Sequence, residues 1–231
     1  MYAVPAITQS EMRQRSLLQQ VYAWMAGGLT ITGLTAMYAF SSGFIERLLR
    51  NGSGVMIGLM VAELALVLGL TFGLNRMSAA VASGAFVLYS VLNGVTLSVI
   101  FLVYTQASIA STFLITAGMF AGISLYGYTT KRDLSTMGSF LTMALLGLVL
   151  ASIVNFFLKS TVIYWITTYA GVLIFTGLTA YDTQKIKRMS QVSDGSNTTV
   201  MRRLVIMGAL TLYLDFINMF LYLLRIFGRR D

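Results

Sequence analysis

Three acidic residues fall inside long apolar runs: Glu63, Asp182 and Asp215. An ionised acid at mid-helix in a bilayer costs about 2.5–3.5 kcal/mol even on a lenient insertion scale, so each is expected to face protein or water rather than lipid. Asp215 has the most informative surroundings. In GALTLYLDFINMFLYLLR, residues 208–225, the side chains of Gly208, Thr211, Asp215, Asn218, Tyr222 and Arg225 recur at spacings of 3, 4, 3, 4 and 3. That is one narrow helical stripe. Tyr213 lies off it, and the other residues between 209 and 224 are apolar. Such a stripe should turn toward a bundle interior or a watery path. Interhelical hydrogen-bond glue is the plainer alternative, but glue needs no ionisable group, which favours a functional acid.

Asp182 ends an uncharged run of more than twenty residues, within GLTAYDTQKIK at 177–187. Thr168, Gly171, Thr179 and Asp182 share a helical face, with Phe175 between them. Asp182 could belong to a site, or could reach the interface and pair with Lys185 three residues on; the residues leave both open. Glu63 has only apolar neighbours one turn away: Leu59, Met60, Leu66 and Val67. It is a third member of a site or a lone neutral hydrogen-bonding acid. Asn93, with Tyr89 and Thr96, gives its own run a polar face suited to packing or to lining a path. Gly118 and Gly122 form a GxxxG that predicts close helix packing.

If Asp182 and Asp215 meet, two carboxyls in low dielectric hold one proton between them rather than both ionising. Raising the pH would remove that proton, and repulsion would open the contact. Ca²⁺, which prefers oxygen ligands, could replace the proton. It takes about 6–8 oxygens, so a site built on these two acids would be weak and rich in water. Depth sets a condition. Asp215 lies about 16 Å into its run and Asp182 about 3 Å from the end of its own. They can meet if the helix bearing Asp182 continues past Arg188, or if the helix bearing Asp215 sits lower.

The elements that must position these residues are membrane helices. The 231-residue chain is 57% hydrophobic and 10% charged, against about 25% charged for a soluble domain. Seven apolar runs of spanning length lie near 20–42, 54–75, 79–103, 107–129, 136–158, 162–183 and 204–227. The expected fold is therefore all-α and polytopic, with seven transmembrane helices. Residues 1–19 form a cytoplasmic segment, 20–228 the membrane domain and 229–231 a short tail. The loop 184–203, with SDGSN at 193–197, is the longest and is expected to be mobile. Pro5 is the only proline, so no later segment is broken by one. The polar first twenty residues do not suit a signal peptide. Trp24, Tyr38, Tyr164 and Trp165 lie near run ends and suit the interface.

Lysine and arginine set the topology. With seven spans, the side of the N-terminus carries ten of them and the other side six, which places the N-terminus in the cytoplasm. The net charge of +8 sits in short turns, a membrane pattern rather than a nucleic-acid surface. Cysteine and histidine are absent, which excludes disulfides, His/Cys metal centres, thiol nucleophiles and imidazole bases. No resident cofactor is expected.

YGYTTKRDLS at 126–135, GLTAYDTQKIK at 177–187 and GALTLYLDFINMFLYLLRIFG at 208–228 resemble the signature segments of the Bax inhibitor-1 family. The resemblance runs through nearly the whole chain and is strongest to the bacterial inner-membrane branch. It implies six helices around a central seventh, and a proton-sharing pair that falls on Asp182 and Asp215. It also implies a pH-sensitive calcium leak, with Ca²⁺ and protons as the mobile partners, and a helix-2 arginine that latches the pair; Arg76 is the nearest candidate. Helix-2 acids occur in the family, which supports Glu63 as a path residue beside Asn218, Thr211 and Asn93. Three function classes follow. The first is a cation leak gated by the two acids, which is not an enzyme. The second is a non-transporting scaffold that binds other membrane proteins. The third is an intramembrane aspartyl protease, disfavoured because no glycine stands at 213 or 214 and no proline follows.

Overall fold

The computed structural model describes residues 9–50, 52–73, 77–192 and 198–230. Its helices are α1 (Gln9–Ser41), α2 (Phe44–Arg50), α3 (Ser53–Gly73), α4 (Ala79–Leu97), α5 (Gln106–Thr129), α6 (Ser135–Leu158), α7 (Thr161–Val192) and α8 (Thr198–Phe227). A 3₁₀ turn, Ser98–Leu102, prolongs α4. No strand occurs among the described residues; a single antiparallel bridge joins Tyr104 and Arg230. Helices dominate because an apolar chain must satisfy its backbone internally when it lies in lipid.

Local chemistry sets the helix ends. The Ser78 hydroxyl accepts the N–H of Val81 at 3.2 Å, and Thr105 accepts that of Ser108 at 3.3 Å. Both are N-caps that satisfy a donor the first helical turn leaves open. α6 stops at Lys159, which adopts the left-handed conformation at φ 51°. The Asn155 side chain then accepts the N–H of Ser160 at 2.9 Å.

Among the described residues, six helical segments are long and apolar enough to cross a membrane: Gly54–Gly73, Ala79–Leu102, Gln106–Thr129, Ser135–Leu158, Thr161–Met189 and Val200–Phe227. α1 covers the first of the seven expected runs and is long, but Gly27, Gly28, Thr30, Thr32, Gly33 and Thr35 dilute its apolar character. The expected count of seven therefore rests on six spans plus α1. α8 is the most enclosed helix: 67% of its apolar window is buried, against 6–33% for the others.

The chain divides into two compact units, residues 1–98 with 186–210, and 99–185 with 211–231. In the first unit α1 and α4 approach closely. Gly28 lies under the Phe86 ring, Gly94 lies against the Thr32 carbonyl, and Thr32 donates to the Ser90 carbonyl at 2.9 Å. Small residues permit this backbone approach. In the second unit Gly127 of α5 meets the backbone of Ala180, Gly138 of α6 meets the Tyr181 ring, and Gly171 of α7 meets Tyr222. Phe216 packs edge-on to both Phe113 and Phe120, with centroids 5.2 and 5.5 Å away.

Two expectations are corrected. The GxxxG glycines, Gly118 and Gly122, pack against nothing; a Cβ at either would meet open space. The buried face of α5 is Thr112, Thr116, Phe120, Ser124 and Gly127, on the opposite side of the helix from the GxxxG face. The span 184–203 is not a long loop either, because α7 runs to Val192 and α8 begins at Thr198. SDGSN itself lies outside the described residues.

Candidate functional site

The extension of α7 removes the depth problem. Asp182 stands ten residues before Val192, about 15 Å inside the helix end rather than at it. It is buried, as is Asp215 of α8, at 9% and 4% exposure. Their carboxyl groups hydrogen-bond to each other. An ionised carboxylate has no donor, so a carboxyl–carboxyl hydrogen bond requires at least one proton on the pair. The second oxygen of Asp215, Oδ2, is buried and has no hydrogen-bond partner among the described residues. Lys185 is the cation that acts on Asp182. It is exposed one turn along α7, with its ammonium 5.8 Å from the Tyr181 ring centre.

α7 presents the face anticipated from spacing: Thr168, Gly171, Phe175, Thr179 and Asp182 are all buried. The Thr168 and Thr179 hydroxyls donate to Tyr164 and Phe175 carbonyls one turn back, at 2.7 and 2.8 Å. They spend their protons on their own helix and offer only lone pairs outward. Gln184 was not singled out from the sequence. It is buried two residues past Asp182, accepts the Leu134 N–H at 2.9 Å and donates to the Arg132 carbonyl at 2.8 Å. It thereby ties the KRDLS turn to the helix bearing Asp182. Its signal lay in the Asp-Thr-Gln order of the motif, but a glutamine in a basic segment reads as solvated until the turn is seen to fold over it.

On α8 the stripe is mixed, with Gly208 and Asp215 buried and its other members less enclosed. Thr211, Asn218, Tyr222 and Arg225 are half-buried, whereas Leu212, Tyr213, Phe216, Met219 and Phe220 are fully buried. Asn218 donates to the Leu214 carbonyl at 2.8 Å. Tyr222 hydrogen-bonds to Ser152 of α6, and the Arg225 guanidinium lies 5.0 Å from the Tyr222 ring centre and 5.6 Å from that of Tyr164. Asn218, Tyr222 and Arg225 line a cleft of about 520 Å³ with Ser152, Phe175 and the apolar face of α6. Asn218 stands one helical turn from Asp215, and neither aspartate is among the residues that line the cleft.

Glu63 sits in the other unit and is not a lone acid. Its Oε1 lies 2.8 Å from the Thr96 hydroxyl, its Oε2 accepts from Asn93 Nδ2 at 3.4 Å, and Tyr89 is within its electrostatic reach. The polar face of α4 thus meets the single acid of α3. The candidate latch, Arg76, lies outside the described residues.

Asp182 and Asp215 supply two carboxylates, and no group of three metal-ligating side chains occurs among the described residues. A cation held at the pair would complete its shell with water or backbone oxygens.

Comparison with known proteins supplies the family. The family model described as Inhibitor of apoptosis-promoting Bax1 matches residues 14–231. The inner membrane protein YbhL of Escherichia coli K12 is 55% identical over 225 residues, covering 97% of this chain and 96% of that protein. A protein of Borreliella burgdorferi is 42% identical over 222 residues, covering 96% and 95%. A membrane protein of Streptococcus pyogenes serotype M6 is 37% identical over 227 residues, covering 97% of each. The match spans both units, both aspartates and all six spanning segments, and the chain belongs to the Bax inhibitor family.

Proposed function

We propose that this protein is a pH-sensitive cation leak, with calcium as the permeant ion, and that the Asp182–Asp215 pair is its gate. The observation that carries the reading is the hydrogen bond between two buried carboxyls on adjacent helices. One proton holds that contact. Its loss at higher pH leaves two like charges in low dielectric, which repel and part α7 from α8. A Ca²⁺ ion is the natural replacement for the proton, since it binds carboxylate oxygen and keeps water.

Asn218 and Thr211 are the polar steps on either side of Asp215 along α8, and the cleft at Asn218 is the approach from one end. Glu63 and Asn93 are a second polar pair, set within the other unit. By likeness to its E. coli relative, the protein resides in the inner membrane, with its N-terminus in the cytoplasm by the basic-residue count. We assign it no enzymatic role; Asp215 lies inside an unbroken helix, after Tyr213 and Leu214.

Calcium flux into liposomes holding the purified protein tests the reading from about pH 6 to 8, the window a shared proton can reach. Wild type should leak more as pH rises, and Asp182→Asn and Asp215→Asn should each leak at a rate insensitive to pH. Equal, pH-independent leaks in all three, or none in wild type, would return the pair to interhelical bridging. The scaffold reading would then take its place.

A further inference from the structure

We propose that the end of the second unit opposite the KRDLS turn is a binding site for the phosphate headgroup of an anionic phospholipid. A pocket of about 560 Å³ opens there, lined by Asn155, Lys159, Ser160, Tyr164, Trp165, Arg225 and Arg230 among others. Three of its lining side chains are cations and none is an acid. The described acids of this unit are elsewhere. Asp133 accepts the Ser135 N–H at the far end of α6, and Asp182 and Asp215 are engaged with each other. Three positive charges around one pocket repel, and an oxyanion relieves all three.

The cations are built in place. Lys159 stands on the left-handed residue that ends α6. Arg225 is stacked between Tyr164 and Tyr222. Arg230 is fixed by the tail: the Arg229 carbonyl accepts the Thr105 N–H at 3.0 Å, Tyr104 and Arg230 form a backbone bridge, and the Arg230 side chain hydrogen-bonds to Tyr104 and Tyr164. Those two hydroxyls engage part of a guanidinium that carries five N–H donors.

The setting selects a lipid over a free anion. Trp165 lines the pocket and stacks on Tyr169, with centroids 5.8 Å apart, and Tyr164 packs edge-on to it. Such an aromatic cluster marks headgroup level. Directly along the same helices lie exposed apolar side chains, Leu158, Val162 and Ile166, at 62%, 68% and 62% exposure. An amphipathic ligand can set its phosphate among the cations and lay its acyl chains on that face. The site does not depend on the carboxyl pair and would stand if no ion crossed.

Trp24→Phe leaves Trp165 as the single tryptophan reporter. The full chain in detergent is titrated with short-chain phosphatidylglycerol, phosphatidylcholine and inorganic phosphate. Phosphatidylglycerol should give a saturable fluorescence change, and the other two should give none over the same range. Lys159→Asn with Arg230→Gln should weaken phosphatidylglycerol binding about tenfold or more. Asparagine tolerates the left-handed backbone at 159. Lys131→Gln, at the opposite end, should leave affinity unchanged. Should the double variant fail to fold, Lys159→Asn alone, on an exposed turn, must still weaken binding. An equal response to phosphatidylcholine, an equal response to inorganic phosphate, or unchanged affinity in the charge variants would overturn the proposal.

Discussion

Asp182 and Asp215 show how a residue's setting decides its chemistry. Asp182 has a lysine one turn along its own helix, yet its hydrogen bond goes to Asp215. The lysine is exposed while both carboxyls are buried, and an ion pair with a solvated ammonium adds little. Replacing Lys185 by Gln should therefore change the melting temperature little, as a thermal scan in detergent would show. Gln184 is the reverse case. Both of its hydrogen bonds are to the backbone of the turn before α6, one of them at buried Leu134, so Gln184→Ala strands a donor and an acceptor. The expected cost is about 1–3 kcal/mol, read as a lowered melting temperature with the pH response of any flux preserved. Thr96→Val removes the 2.8 Å partner of Glu63 and should destabilise by about 1 kcal/mol or more, checked in the same scan.

At the scale of elements, the length of α7 decides the site. Its 32 residues reach about 48 Å, well beyond a hydrocarbon core of about 30 Å. The apolar run ends near Asp182, but the helix does not, because Lys185, Lys187 and Arg188 are good helix formers and can extend their stems toward the interface. α5 makes a separable prediction about glycine. Gly127→Ala would drive a methyl into the Ala180 backbone and should destabilise by about 1–3 kcal/mol. Gly118→Ala and Gly122→Ala meet open space and should be neutral or stabilising by up to about 1 kcal/mol. Melting temperatures in detergent distinguish them. Equal losses at all three would mean that the GxxxG face is packed after all.

For the whole molecule, the two ends of the second unit fix its sidedness. Gln184 and the KRDLS turn share one end, while Lys159, Arg225 and Arg230 share the other. α6 separates them by 24 residues, about 36 Å and enough to span. The chain has no cysteine, so single substitutions are clean probes. Lys131→Cys and Lys159→Cys should react with a membrane-impermeant thiol reagent from opposite sides. By the basic-residue count, Lys131 should be the cytoplasmic one. Labelling of both from one side would overturn the spanning arrangement of α6.

The sequence alone determined the class of fold, six of the seven expected spanning segments and the three acids within apolar runs, because these depend on composition and on apolar runs that lipid leaves no choice but to make helical. It also determined the buried face of α7, which follows from a 3.6-residue period, whereas four of the six members of the α8 stripe are only half-buried. The tertiary structure decided what periodicity cannot encode. It joined Asp182 to Asp215 by carrying α7 past its apolar run, gave Glu63 its partners on α4, folded a turn over Gln184 and left the GxxxG glycines facing outward. Each of these depends on where a second helix lies, and a one-dimensional pattern shows which side of a helix is polar without showing what that side meets.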